Sequence, residues 1–190
     1  MLPNRLESEC LKHFNMANQK LEVSYHLLTQ SSSFFNSPKV LAVVIDFLYK
    51  CIDEALSSLI IYENIRRFIG KSILEEKNSF LPKDFERKYN FFIKISKELL
   101  ISKKHIDLVK KIRDLYKQHE KSPVEFVRKD NLVICSNEYK IEKISFKELS
   151  DMIIETKKFL FEIYIIIKAH QKPKIFTMSE MPEMESGMHG

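Results

Sequence analysis

The chain is poor in the residues that punctuate structure. Only three glycines and six prolines occur among 190 residues, which argues against a turn-rich β fold and for long helices. Cysteine is as sparse: Cys10, Cys51 and Cys135 lie far apart and form no CxxC. A disulfide framework or a zinc site is therefore not expected, and buried, reduced thiols of a cytosolic protein are. No apolar run approaches the roughly 20 residues of a membrane span, and the longest, from Val40 to Phe47, is broken by Asp46. Residues 1–7 lack the apolar centre of a signal peptide. HExxH, DxDxDG, GxxxxGK[ST] and GxSxG are all missing, so neither a metal nor another cofactor is expected. These absences describe a soluble, cytoplasmic protein that does not associate with membranes.

What is present suits one helical domain. A hydrophobic content of 44% with 14 Phe and 7 Tyr is ample core material for a chain of this length. Apolar residues at Leu6, Leu11, Phe14, Ala17, Leu21, Tyr25 and Leu28 have helical spacing, and Ser31-Ser32-Ser33 closes that first helix. Within it, His13 and His26 have no carboxylate at metal-ligand spacing and are expected to be structural or surface residues. Ser37-Pro38 has the pattern of an N-cap followed by proline at the first helical position. The stripe Leu41, Val44, Ile45, Leu48, Ile52, Ala55, Leu59, Ile60 then predicts a long second helix over about residues 38–69. Arg66-Arg67 and Gly70 mark its end, cations near the negative pole and glycine as terminator.

A connection over 71–83 leads to a third helix over about 84–100, with Phe85, Tyr89, Phe92, Ile93 and Leu99 as buried candidates. A fourth helix over about 104–120 is stopped by Ser122-Pro123, because the residue before proline is pushed out of the α region. The period then changes. Leu132-Val133-Ile134-Cys135 and Tyr139 to Ile144 predict a small β-hairpin around Ser136-Asn137-Glu138. Ser145-Phe146-Lys147-Glu148 is a capping box that opens the last helix, whose stripe is Leu149, Ile153, Leu160, Ile163 and Ile167. The expected architecture is an all-α bundle of five helices over residues 1–172, with the second helix at the centre and the hairpin inserted before the last. Residues 173–190, with four methionines among Ser, Glu and Pro, have no packable face and are expected to form a disordered tail.

Charge is unevenly spread. Residues 83–129 carry 14 Lys and Arg against 7 Asp and Glu, whereas 1–82 and 130–172 each balance and 173–190 has a net charge of −2. The whole positive excess falls on the segment that holds Lys110-Lys111-Ile112-Arg113-Asp114-Leu115-Tyr116-Lys117-Gln118-His119. A lysine excess is usually a solvated helix face, but its concentration favours an anionic partner, nucleic acid first. Arg113 and His119 are the pair suited to phosphate chemistry. A histidine can take the proton of an RNA 2′-hydroxyl or give one to the leaving 5′-oxygen, and an arginine can fork onto phosphate oxygens. His119 continues the line Leu108, Ile112, Leu115. On one ideal helix, however, Arg113 and His119 point about 120° apart and are about 9 Å apart along the axis. They converge only if the helix distorts or a second copy contributes its own pair.

Arg113, the polar Asp114, and His119 after a gap of five residues, late in a small helical bundle, resemble the HEPN domain family (higher eukaryotes and prokaryotes nucleotide-binding). The resemblance implies metal-independent endoribonuclease activity of a homodimer with a composite site. It assigns catalysis to Arg113 and His119, with Asp114 as an orienting or structural partner. Tyr116, Lys117, Lys110 and Lys111 are the candidates for holding RNA. Toxins and defence nucleases occur in the family, so a cognate antitoxin or partner protein is a further expectation. Other members have lost catalysis, and the alternative reading is a non-catalytic helical module that binds protein or nucleic acid. The hairpin and the methionine-rich tail lie outside the minimal family pattern.

Overall fold

The computed structural model describes residues 2–30, 38–68, 81–129, 131–135 and 141–169. Among them are five helices, α1 (Leu2–Gln30), α2 (Pro38–Phe68), α3 (Phe85–Ser96), α4 (Lys103–Glu120) and α5 (Phe146–Ala169). Three strands, β1 (Val124–Arg128), β2 (Asn131–Cys135) and β3 (Ile141–Ser145), lie between α4 and α5. The protein is mostly helical, and no helix among the described residues is long and apolar enough to cross a membrane. The expected serine stop at 31–33, the Ser37 cap, the Gly70 terminator, most of the 71–83 connection, the turn at 136–138 and the tail at 173–190 lie outside the described residues.

Helix α2 is the central rod. Val44, Ile45, Leu48, Cys51, Ile52, Ala55, Leu56, Leu59 and Ile60 are all fully buried, more than one face can account for, and α2 packs on each of the other four helices. Its closest partner is α1, whose buried line runs through Cys10, Ala17, Leu21, Ser24 and Leu28. Small residues on that line let the two backbones approach. At the closest point the Ser58 hydroxyl donates to the Cys10 carbonyl at 2.9 Å and the Cys10 thiol lies 3.4 Å from the Ser58 carbonyl. Tyr25, expected inside, is exposed instead. Cys10, Cys51 and Cys135 are free thiols, and burial pushes the Cys10 and Cys51 thiols up.

Helix α3 starts on Asp84, whose carboxylate accepts from the Glu86 and Arg87 amides. It ends in a left-handed cap: Ile101 N–H reaches Ser96 O at 2.9 Å and Leu100 N–H reaches Lys97 O at 3.4 Å. Leu100, at φ 55°, occupies the position where glycine is usual. This cap ends the expected 84–100 segment and resets the chain for Ser102, which caps α4 through the His105 amide.

The expected hairpin is two strands of a three-stranded antiparallel sheet of order β1-β2-β3. The strand missed in the sequence is Val124–Arg128, paired with β2 so that Glu125 opposes Ile134 and Phe126 opposes Val133. Val124, Phe126 and Arg128 are exposed and Glu125 and Val127 half-buried, so apolar residues sit outside and a carboxylate inside, and the period-2 hydropathy signal is weak. The capping box is as expected: the Ser145 amide donates to Glu148 at 2.9 Å and the Glu148 amide to Ser145 Oγ at 3.1 Å. Leu149, Ile153, Leu160, Ile163 and Ile167 are all buried.

Candidate functional site on helix α4

Helix α4 presents three different flanks to its neighbours. The buried line is Val109, Ile112 and Leu115, with Leu108 only half-buried, so the apolar stripe is rotated slightly from Leu108-Ile112-Leu115. His119 follows in the last turn at 20% side-chain exposure. Lys121 and Ser122, just beyond, cap the helix with their amides on the Lys117 and His119 carbonyls respectively, at 3.3 and 3.1 Å.

The flank toward α3 holds Arg113 and Lys117. Arg113 Nε and Nη2 donate to Asp114 Oδ1 at 2.9 and 2.7 Å, its guanidinium lies 4.1 Å from the centre of the Tyr89 ring, and Nη1 is 3.8 Å from Glu86. Burial alone would lower the pKa of Arg113, but the Asp114 bonds and the nearby Tyr89 and Glu86 outweigh it and raise it. Lys117 Nζ takes the other Glu86 oxygen at 2.7 Å. Asp114 is therefore the arginine's partner and has no contact with His119.

The flank toward α2 and β1 holds Tyr116 and His119. Tyr116 stacks on Tyr49 with ring centres 3.7 Å apart and planes 8° apart, and Tyr49 stacks in turn on Phe85 at 4.4 Å. Tyr116 is thus a packing residue here rather than a free platform for a base. Burial, with Glu120 and Asp46 nearby, pushes its phenol up. His119 Nδ1 lies 2.7 Å from Glu125 Oε1. A carboxylate can only accept, so Nδ1 carries the hydrogen and donates. Nε2, the nitrogen left for proton exchange, faces Asp46 Oδ1 at 3.7 Å, beyond hydrogen-bond range. The imidazole edge also meets the Tyr116 ring.

The third flank, toward β3 and the start of α5, carries Lys110 and Lys111. With Asp114, Gln118, Lys143 and Glu148 they line a shallow groove of about 310 Å³, and Lys111 reaches Glu148 at 3.7 Å. Carboxylates alternate with lysines around this groove, which makes it a mixed-charge surface rather than a phosphate cradle.

Within one chain, then, Arg113 and His119 turn to different neighbours, as the helical projection requires. The residues that reading the sequence missed are Glu125 and Asp46, on β1 and α2. Asp46 did leave a signal, a lone carboxylate inside the apolar run from Val40 to Phe47. Among the described residues no cluster of three or more His, Cys, Asp or Glu side chains is arranged to hold a metal ion.

No protein-family model, no curated protein and no solved structure matches the chain.

Proposed function

We propose that this protein is a metal-independent endoribonuclease of the HEPN type, acting as a homodimer, with His119 as acid/base and Arg113 as the phosphate clamp. The observation that carries the reading is the His119–Glu125 contact at 2.7 Å. A carboxylate on Nδ1 fixes the imidazole tautomer and leaves Nε2, 3.7 Å from Asp46, as the nitrogen for proton exchange, the arrangement an acid/base histidine needs. In the reaction a 2′-hydroxyl loses its proton and attacks the adjacent phosphorus. The bond to the 5′-oxygen breaks, that oxygen takes a proton, and a 2′,3′-cyclic phosphate remains. Arg113 of a second copy supplies the charge that the same chain's arginine, turned toward α3, does not bring to His119. Free thiols at Cys10, Cys51 and Cys135 suit a reducing compartment, and the cytoplasm belongs to this proposal.

One observation favours a non-catalytic binding module instead: Arg113 is closed onto Asp114 and Tyr89. Incubating the full chain with single-stranded RNA in EDTA, beside His119→Ala and Arg113→Ala, separates the two. The nuclease reading expects cyclic-phosphate ends, with cleavage reduced roughly 100-fold or more in either variant. Intact RNA across several substrates, or equal cleavage by the variants, would leave the binding module.

A further inference from the structure

Helix α5 divides its residues by charge. Three of its four carboxylates turn to α4: Glu148 lies 3.7 Å from Lys111, Glu155 2.6 Å from Lys104 and 2.8 Å from Lys158 of its own helix, and Glu162 2.6 Å from His105. The fourth, Asp151, is exposed and projects about 80° from Phe161. On a projection at 100° per residue, the sector within about 60° of Phe161 contains no carboxylate. It contains Ile154, Phe161 and Ile165, which are 49%, 64% and 51% exposed, and the exposed Lys147, Lys157, Lys158 and Lys168. Single exposed apolar residues are ordinary, but an aligned apolar ridge set among lysines, with Asp151 as the one carboxylate near its margin, marks a contact surface.

That chemistry selects an occupant that is apolar and acidic. A second copy of α5 would lay lysines against lysines. The chain itself supplies a complement. Residues 173–190 contain Ile175, Phe176 and four methionines together with Glu180, Glu183 and Glu185 against the single Lys174, and they follow α5 directly. Methionine adapts to irregular apolar surfaces. Reach is sufficient, since about 16 extended residues span roughly 50 Å and α5 is about 36 Å long. Tethering also gives the segment an effective concentration on the order of millimolar, ahead of most free competitors.

We propose that the outward face of α5, centred on Phe161, is the docking site for the chain's own segment 173–190. Because the face lies on α5 and not on α4, the inference stands independently of the nuclease reading.

Zero-length carbodiimide coupling on the full chain tests it, because this reagent joins only a carboxylate and an amine in contact. The Lys104–Glu155 pair, at 2.6 Å, serves as the internal control. The expected products are links from Glu180, Glu183 or Glu185 to Lys147, Lys157, Lys158 or Lys168. Their yield should fall at least fivefold in Phe161→Ser/Ile165→Ser, whose exposed positions leave folding intact, and in high salt. An equal mixture of isotope-labelled and unlabelled chains separates links within a chain from links between chains. Three results would each overturn the proposal: no such links while the control forms, links unchanged in the double variant, or links found only between chains.

Discussion

His105 and His119 stand about four turns apart on the same helix, and each places Nδ1 on a glutamate from another element, at 2.6 and 2.7 Å. Their surroundings differ. At His105 the geometry is closed: the second Glu162 oxygen accepts the Ser102 amide at 3.1 Å, the ring lies against Phe159, and only 12% of the side chain is exposed. It is a clamp between α4 and α5. At His119 the second nitrogen faces a half-exposed Asp46 without bonding it. A third pair, His13 with Glu54 at 2.6 Å, ties α1 to α2. A histidine–glutamate contact is therefore the ordinary joint of this fold, and what sets His119 apart is a second carboxylate, Asp46, 3.7 Å from its other nitrogen.

The sharpest way to break this comparison is RNA cleavage. His119→Ala should lower it roughly 100-fold or more, whereas His105→Ala should leave it within about threefold of wild type after correction for folded fraction, general acid–base work being local to the reacting atoms. Equal losses in both variants would mean that both histidines are joints.

Stability should rank them the other way. His105→Ala removes a charge-assisted bond from a half-buried glutamate and should cost about 2 kcal/mol in urea unfolding. His119→Ala, in a fraying last turn, should cost about 1 kcal/mol or less. Similar costs would erase the distinction between the two environments.

A carboxylate site without histidine provides the pH reference. Burial by itself would raise the Glu63 carboxyl, but hydrogen bonds from Arg66 at 2.8 Å and Arg67 at 2.6 Å outweigh it and hold it below the usual range. Its folded pKa is depressed, so its contribution is full above the unfolded glutamate value of about 4.3 and is lost as pH falls through the folded value. Glu63→Gln should flatten the acid limb of stability measured between pH 7 and pH 3. A limb as steep as wild type would show that this network is not what acid dissolves.

The smallest effect belongs to the loop that starts α4. Leu100 is 86% exposed at φ 55°, a conformation that costs a non-glycine residue roughly 1–2 kcal/mol. Leu100→Gly gives part of that back to unfolded-chain entropy, so a net gain of about 0.5 kcal/mol is expected. Unchanged or lower stability would show that the leucine side chain holds something its exposure hides.

The helices were readable because strong periodic stripes and local caps agree, as at Asp84 and at Ser145 with Glu148. Strand β1 was not, since its burial alternates while its hydropathy runs against it, with Val124 and Phe126 on the exposed face and Glu125 on the inner one. The candidate site was legible on α4 alone. Arg113, Asp114 and His119 are neighbours in sequence, and their angular separation follows from helix geometry. Glu125, Asp46, Glu86 and Tyr89 were not, because what brings them to α4 is tertiary packing. Tyr116 shows the limit most clearly: its place beside Lys117 makes it a candidate for holding RNA, while its stacking on Tyr49 has no signal in the sequence.

The register of β1 gives the candidate site a parity. Glu125 and Val127 face inward because Arg128 opposes Asn131 across the β1–β2 connection, where Lys129 adopts φ 47°. A slip of the β1–β2 pairing by one residue would exchange the two faces, turning Phe126 or Val124 toward the imidazole and Glu125 toward solvent. The histidine would still be present and the strand still paired, yet the carboxylate would be gone. What keeps the carboxylate against His119 is therefore the ladder between β1 and β2, on the side of the strand away from the histidine, and not the length of chain that joins the helix to it.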